Sequence, residues 1–237
     1  MGKLIVWLLA AGKMGKLLTT SGTMLLSMLA YSLVFGWRYA VGFVLLIFVH
    51  EMGHYLAARQ RGLDVGAPTF IPFVGAWIQM KDMPHDVETE AWVGFAGPLA
   101  GTLGAMACYF AARSTGSDLL LALAYSGCML NLFNLIPISP LDGGRITAII
   151  SPKVWLLGVP LLAALFFYRP SPMLILVAIL AYPQLKKAWT GETDAPEGYY
   201  QVATEARVNY AVMYLGLVVF LAMMSYDLHE ALDGARA

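Results

Sequence analysis

Apolar segments almost free of charged side chains recur along the whole chain, separated by short breaks rich in charge, proline or glycine. A helix needs about 20 consecutive apolar residues to cross the hydrocarbon core of a bilayer. The segments that approach this length lie near 17–36, 40–58, 91–112, 118–137, 154–168, 170–184 and 208–226. They predict an all-α polytopic membrane protein with six to seven transmembrane helices, depending on whether 154–184 forms a helical hairpin or one kinked region.

Composition agrees with a membrane protein and argues against a nucleic-acid-binding one. Hydrophobic residues make up 59% of the 237 residues, and charged residues only 13%. The formal net charge is zero, and no basic run interleaved with aromatic residues occurs. Because nucleic-acid binding requires a basic surface, no nucleic acid is expected as a partner. The lipid bilayer is the expected surrounding of one integrated helical bundle.

Seven crossings would divide the lysines and arginines of the chain unequally between the two sides of the membrane. Eleven of the fifteen lie on one side, and the other four are Arg38, Arg113, Arg169 and Arg236. Cytoplasmic loops are enriched in Lys and Arg, so the first side is predicted to be cytoplasmic. This orientation places residues 50–54 at the cytoplasmic end of the second apolar segment.

The stretch FVHEMGHYLAAR, residues 48–59, places ionisable side chains at membrane depth, where they are costly and mark functional sites. His50 and His54 are four residues apart and share one face of a helix, so both imidazoles can bind one ion. Glu51 lies beside them and can act on an attacking water without being a ligand. This is the H-E-x-x-H pattern of zinc hydrolases. The alternative is a histidine pair hydrogen-bonded within the bundle, with Glu51 paired to a cation such as Arg59.

A catalytic zinc needs a third protein ligand, and residues 131–145, NLFNLIPISPLDGGR, offer Asp142. Pro137 and Pro140 are expected to end the preceding helix, and the glycine pair after Asp142 allows a turn that directs the carboxylate inward. The alternative is an ordinary turn residue, or an N-cap of the helix that follows. The remaining histidines are expected in solvated loops or ends and are poor candidates: His85 and His229.

Residues 66–84, GAPTFIPFVGAWIQMKDMP, are apolar but too often interrupted by proline and glycine to cross the membrane as a helix. The alternation within FIPFVGAWIQ predicts a short re-entrant, β-like hairpin near 68–80 on the cytoplasmic side. An exposed strand edge there could hold an unwound substrate segment by strand addition. The alternative is a membrane-surface loop with Trp77 as an interfacial anchor.

Three motifs, in this order and on successive apolar segments, resemble the site-2 protease family of intramembrane zinc metalloproteases. They are HEMGH at 50–54, GFAGPLAG at 94–101 and FNLIPISPLDGGR at 133–145. The resemblance extends over about residues 40–150. In that family an element like the predicted hairpin lies beside the active site.

Matched residue by residue, the resemblance implies that His50, His54 and Asp142 bind one Zn²⁺ per chain and that Glu51 is the general base. It also implies that Asn134 contacts the substrate or the developing oxyanion. The glycines and proline of the second motif are expected to shape close helix packing beside the metal.

The resemblance implies an enzyme, a zinc-dependent endopeptidase that hydrolyses peptide bonds in or near the transmembrane segments of other membrane proteins, as in regulated intramembrane proteolysis. The chain resembles the small prokaryotic members of the family. It is therefore expected to form a single membrane-embedded domain over 1–237, without a PDZ or CBS domain. Substrate selection then falls to the membrane core or to a regulatory membrane partner. The expected location is a prokaryotic cell membrane, with the active site toward the cytoplasmic side.

Two other functions are alternatives to this one. A metal transporter would repeat His and Asp groups along a path through the bundle, whereas the predicted ligands cluster at one depth. A non-catalytic homologue that only binds membrane proteins would lack the base or a ligand, and this sequence keeps all four residues.

Overall fold

The computed structural model describes residues 2–73, 75–80 and 83–234, with side chains from residue 19 onward except those of residues 75 and 77–80. The chain is mostly helical, with one two-stranded sheet. The helices are α1 (Gly2–Phe35), α2 (Trp37–Gln60), α3 (Val87–Thr115), α4 (Asp118–Asn134), α5 (Asp142–Thr147), a 3₁₀ helix (Pro152–Leu157), α6 (Gly158–Tyr168), α7 (Pro172–Thr190) and α8 (Thr204–Gly234). The strands are β1 (Val65–Ile71) and β2 (Gly75–Met80).

Local signals set the ends of the central helices. The side chain of Asp86 accepts a hydrogen bond from the Thr89 amide, which satisfies one of the unpaired donors at the start of α3. The same helix ends at Gly116, whose φ of 67° is in the left-handed region that glycine adopts without strain. Ser117 then caps α4 in the way that Asp86 caps α3. The two helices are therefore joined by a tight turn and pack side by side.

Three of the described helices are long and apolar enough to cross a membrane: α2, α3 and α8. They correspond to the predicted segments 40–58, 91–112 and 208–226. Three shorter apolar stretches have 10–17 residues each: residues 19–35 of α1, helix α4, and residues 152–168. These helices identify a membrane protein, and the count of six to seven spans stays a prediction.

The helices α2, α3, α4 and α8 pack against one another in this order and form the body of the molecule. Phe95 of α3, Ala124 of α4 and Leu221 of α8, all buried, belong to one core. The hydroxyl of Tyr214, on α8, donates a hydrogen bond of 2.7 Å to the carbonyl of Leu135, just after the end of α4. The long C-terminal helix therefore holds the segment between α4 and α5 in place.

Residues 154–184 form two helices, α6 and α7, joined at residues 169–171, rather than one kinked region. Their apolar faces, with Leu162 and Val177, pack on Ile136 and Ile138 of the segment between α4 and α5. Eleven residues of α-helix extend for about 16 Å, roughly half of the hydrocarbon thickness, so α6 alone is too short to span it.

Helix α7 continues to Thr190 and α8 begins at Thr204, so the loop between them covers residues 191–203. The loop between them is anchored on α3 by Tyr199. Its carbonyl accepts a hydrogen bond from the Val87 amide, and its hydroxyl donates one of 2.7 Å to Glu90. Burial and the adjacent Glu90 raise the pKa of Tyr199, so the phenol stays protonated and remains a donor.

The hairpin predicted near 68–80 is confirmed. Strands β1 and β2 are antiparallel, with Pro68 opposite Ile78 and Phe70 opposite Ala76. The segment is thus a regular hairpin, while its re-entrant placement on the cytoplasmic side stays a prediction, and the Trp77 side chain lies outside the described side chains.

Helix α1 lies along the outer edge of β1. The Thr20 hydroxyl donates a 2.7 Å hydrogen bond to the carbonyl of Pro68, and the Phe70 amide donates one of 3.1 Å to the Thr23 hydroxyl. Near the hairpin tip, the Tyr31 and Phe73 rings lie 4.8 Å apart. Proline has no N–H to pair, so an edge position beside α1 suits Pro68.

Candidate metal centre

The predicted metal ligands come together in the structure. His50 and His54, on successive turns of α2, point their Nε2 atoms at each other across 3.1 Å. The carboxylate of Asp142 lies 3.2 Å from each of these nitrogens, one oxygen facing each ring. All three side chains are buried, and one ligand atom from each lies within 4.8 Å of the other two.

Hydrogen bonds on the far side of each ring fix which nitrogen carries the proton. Nδ1 of His54 lies 2.7 Å from the carbonyl oxygen of Val93, which can only accept, so Nδ1 is the donor. Nδ1 of His50 lies 2.8 Å from Oδ1 of Asn131, whose amide nitrogen already donates to the carbonyl of Gly127. Both Nε2 atoms therefore have a lone pair available for a metal, with the outer hydrogen bonds common to metal-binding histidines.

This arrangement fits a bound cation. Two unprotonated nitrogens and a carboxylate at about 3 Å repel one another unless a positive charge lies between them. Two imidazoles and one carboxylate are also a donor set that zinc accepts, with a fourth position left open. Glu51 is buried beside these ligands, and the described part of the chain contains no ion pair between Glu51 and Arg59, the cation named in the alternative.

Glycines on α3 create the space that the two histidines occupy. A β-carbon at Gly97 would overlap the imidazole of His54, and one at Gly101 would overlap the amide of Asn131. A β-carbon at Gly53, between the two histidines, would meet the carbonyl of Ala96. The expectation of close helix packing at these glycines is confirmed, and the contacts show that the second motif lies directly against the metal centre.

Asp142 is the first residue of the short helix α5 and not its N-cap, which is Leu141 and makes no side-chain capping bond. The N-cap alternative is therefore wrong. Gly143 and Gly144 were expected to form a turn, but they lie inside α5, where β-carbons would collide with the backbone of the preceding segment. The indole N–H of Trp155 donates a 2.8 Å hydrogen bond to the carbonyl of Gly144 and fixes α5 from its other side.

The three groups open into a cavity of about 610 Å³, a volume typical of small-molecule sites. Glu51, Asn134 and Arg145 line the same cavity, as does Ala76 of the hairpin. The amide nitrogen of Asn134 donates a 3.0 Å hydrogen bond to the carbonyl of Leu130. The structure thus places the predicted base and the predicted substrate-contacting asparagine at the cavity of the metal centre.

The two remaining histidines lie elsewhere, as predicted. His85 is exposed in the segment before α3. His229 is on α8, where its ring stacks near Tyr125 and its Nε2 lies 3.4 Å from Asp233.

One residue of the centre was missed in the sequence. Asn131 is fully buried on α4 and contacts His50 directly. Its position as a polar residue inside the apolar segment 118–137 is the sequence feature that indicates a functional role. The family motif at 133–145 includes Asn134 and begins after Asn131.

Comparison with known proteins agrees with this geometry. Residues 38–116 match the family model described as Peptidase family M50. A zinc metalloprotease of Methanocaldococcus jannaschii is 36% identical over 124 residues, covering 48% of this chain and 36% of its own. A chloroplast protein of Oryza sativa subsp. indica, named as the probable zinc metalloprotease EGY2, is 26% identical over 227 residues, covering 74% of this chain and 41% of its own.

The chain spans between 36% and 41% of the length of these two relatives. Among solved structures, the chain is similar to the site-2 protease from Methanocaldococcus jannaschii, with a TM-score of 0.46, 23% identity, and coverage of 76% of this chain and 87% of the other.

The matched residues 38–116 include His50, Glu51 and His54, together with the glycines of α3 that make room for them. Asn131 and Asp142 lie beyond the match. The structure brings these two residues to the histidines from the second half of the chain, through α4 and α5.

Proposed function

We propose that the protein is a zinc-dependent intramembrane endopeptidase that cleaves peptide bonds in or near the transmembrane segments of other membrane proteins. The observation that carries this proposal is the convergence of His50, His54 and Asp142 beside Glu51 at one cavity. Peptidase family M50 and the zinc metalloproteases among its relatives support the same reaction class.

His50, His54 and Asp142 would hold the ion, each through one atom. Zinc bound there would supply Lewis acidity, polarising the scissile carbonyl and acidifying the attacking water. Glu51 is next to a ligand in sequence, is not itself in the ligand group, and lines the cavity. Its carboxylate takes the proton of the attacking water and delivers it to the leaving amine as the peptide bond breaks.

Asn134 has a role distinct from the ligands. It lies near the end of α4 at the same cavity, and only one N–H of an amide is needed for its bond to the carbonyl of Leu130. The second N–H donates to the oxygen of the scissile carbonyl, on which negative charge develops.

The hairpin holds the substrate in an extended form. A peptide bond in a helix is shielded by its own hydrogen bonds, so a transmembrane substrate must unwind before attack. Helix α1 covers the outer edge of β1 through Thr20 and Thr23. Strand addition therefore uses the outer edge of β2, which contributes Ala76 to the cavity wall.

The proposed setting is a prokaryotic cell membrane, with the metal centre toward the cytoplasm. Eleven of the fifteen Lys and Arg residues lie on the side that this orientation makes cytoplasmic. Water reaches the centre from that side. A regulatory membrane partner selects the moment or the substrate of cleavage.

The metal-transporter alternative is not supported. Among the described residues, His50, His54 and Asp142 are the one group of His, Cys, Asp and Glu with a metal-binding arrangement. A transport path would require further polar groups at other depths of the bundle.

Glu51→Gln tests the proposal. We expect the variant to bind one zinc per chain but to lose cleavage by about 100-fold or more, because the amide cannot take the proton. Metal content is measured on purified protein, and cleavage on a transmembrane substrate in detergent or vesicles. Glu197→Gln, in the exposed loop before α8, is the matched control and should keep both properties. Wild-type cleavage by Glu51→Gln would remove the assigned base, and absence of cleavage by the metal-loaded wild type would remove the enzyme.

A further inference from the structure

The orienting hydrogen bonds of the two histidines differ in their origin. His54 is held by a backbone carbonyl, that of Val93, which remains whatever side chain occupies the position. His50 is held by a side chain, that of Asn131. One of the two orienting bonds of the metal centre is therefore encoded by a single residue that was not part of any motif.

The Asn131 side chain is itself fixed at both ends. Its amide nitrogen donates a 2.7 Å hydrogen bond to the carbonyl of Gly127, one turn earlier on α4, and its oxygen lies 2.8 Å from Nδ1 of His50. The residue is fully buried between α2, α3 and α4. Because the amide nitrogen of Asn131 donates to a carbonyl, the amide oxygen must face His50. This oxygen accepts the hydrogen bond from Nδ1 of His50.

Helix α3 supplies the room for this bond. A β-carbon at Gly101 would lie closer to both terminal atoms of the Asn131 amide than atoms can approach. The atoms nearest to a β-carbon at Gly101 all belong to Asn131, and none belongs to a histidine. The glycine that faces His54 is Gly97. The last glycine of GFAGPLAG thus acts on the centre through Asn131.

We propose that Asn131 is a positioning residue that holds the His50 ring in the orientation and tautomer required to bind the metal, and that Gly101 is needed because it leaves space for the Asn131 amide. The inference rests on the proposed function, in that it assumes a metal at this centre. It assigns Asn131 and Asn134, three residues apart on α4, to different tasks: one orients a ligand, and the other faces the substrate.

The experiment measures metal binding on the full chain, purified in detergent and stripped of metal. Co²⁺ is titrated while its visible absorption spectrum is recorded, and Zn²⁺ affinity follows from competition with a chelator. In Asn131→Leu, a residue of similar size without an acceptor, we expect metal affinity to fall by about 10- to 100-fold. The spectrum of bound Co²⁺ should also shift, because His50 is free to rotate.

Asn131→Asp is the conservative variant. It keeps an acceptor for Nδ1 of His50 but loses the donor to the carbonyl of Gly127, so we expect its metal affinity to lie between those of Asn131→Leu and wild type. Asn209→Leu, an exposed asparagine on α8, is the control for introducing leucine and should bind metal normally. The melting temperature of the metal-free proteins separates folding from binding: a purely structural role would lower it in Asn131→Leu and leave affinity unchanged.

Gly101→Ala gives a second, independent test. Alone, it should reproduce the loss of metal affinity, because its methyl group displaces the Asn131 amide. Combined with Asn131→Ala, it should add no further loss, since the methyl group then enters the space that the amide left.

Wild-type affinity and an unshifted Co²⁺ spectrum in Asn131→Leu would overturn the inference, as would full additivity of Gly101→Ala with Asn131→Ala. These outcomes differ from failure of the proposed function. A wild-type protein that binds metal but cleaves no substrate contradicts the enzyme and leaves the role of Asn131 supported. A wild-type protein that binds no metal contradicts both.

Discussion

Two walls of one cavity are built in different ways. The metal centre is held by helices whose backbones approach closely, with Gly53 against Ala96 and Gly97 against the ring of His54. The β1–β2 hairpin opposite is attached by the buried side chain of Phe70 and, at the edge of β1, by hydrogen bonds to side chains of α1 such as Thr23. The first wall has no room for an added methyl group, whereas the second is joined in part through hydrogen bonds at a strand edge.

This difference corresponds to the two tasks that we propose. Chemistry at a metal requires ligands held within fractions of an ångström, and close-packed backbones provide this precision. Binding of an unwound segment requires a strand edge that accepts many sequences, because main-chain hydrogen bonds do not depend on side chains. Substitutions in the two walls test these two tasks separately, and the effects are expected to be larger at the metal centre than at the hairpin.

The largest effect is expected at Asp142, the ligand that joins α5 to α2. Asp142→Ala should lose metal binding and cleavage together, and should melt at a lower temperature than wild type when zinc is present. Metal bound to the native state at about 1,000 times its dissociation constant contributes about 4 kcal/mol to stability. With chelator, the difference in melting temperature should largely disappear.

Asp142→Asn sharpens the same test, because it keeps the shape and hydrogen-bonding capacity of the side chain but removes the charge. We expect it also to lose zinc, since its neutral amide is a poorer metal ligand than a carboxylate. Zinc stoichiometry of the two variants, measured side by side, decides the matter. Full occupancy with normal cleavage in either variant would remove Asp142 from the site.

A smaller but still severe loss is expected from one methyl group on α3. Gly97→Ala places a β-carbon on the His54 imidazole, so metal affinity and cleavage should both fall by at least 10-fold. The matched control is Gly216→Ala on α8, where no atom lies within 4 Å of the added β-carbon. There, alanine should raise helix stability by about 0.5–1 kcal/mol and leave metal binding unchanged. Equal metal affinities in the two variants would mean that the close packing does not hold His54.

The smallest effect is expected at the hairpin. The Phe70 amide points away from β2, toward Thr23. In an antiparallel pair, two directly opposite residues both point their N–H groups toward each other or both point them outward, and Ala76 lies opposite Phe70. The N–H of Ala76, opposite Phe70, therefore points to the outer edge of β2, where we propose that substrate binds. Ala76→Pro removes this donor.

We expect Ala76→Pro to lower kcat/KM for a transmembrane substrate by roughly 2- to 13-fold, the equivalent of one hydrogen bond of about 0.5–1.5 kcal/mol, with zinc content unchanged. Ala76→Ser keeps the N–H and should cleave normally. Val74, the neighbouring candidate for the same substitution, lies outside the described residues. Unchanged turnover in Ala76→Pro would contradict strand addition at this edge.

Sequence alone was sufficient wherever the governing interaction is local. The spacing of His50 and His54 guarantees a shared face, because a helix repeats every 3.6 residues. Proline and glycine in 66–84 excluded a long helix and indicated the hairpin, since these residues act on their own backbone. The same reasoning located α2, α3 and α8, whose apolar segments are long.

Local sequence features did not determine the number of transmembrane helices. A helix buried in protein and a helix facing lipid have the same apolar composition, and α4 and α6 are shorter than their segments suggested. Which apolar faces meet lipid depends on what packs against them. That is a property of the assembled bundle.

Only the tertiary structure decided which polar residues complete the metal centre. Asn131 and Asn134 are one helical turn apart and both follow apolar residues in the sequence, and the tasks that we propose for them depend on the rotation of α4 about its own axis. Close contacts with other helices set that rotation, including Gly101 against the Asn131 amide and Gly127 against Ala105. Such contacts join residues far apart in sequence and depend on the packing of three helices at once. The sequence therefore determined that a histidine pair was present, and the packing of α2, α3 and α4 determined which asparagine orients it.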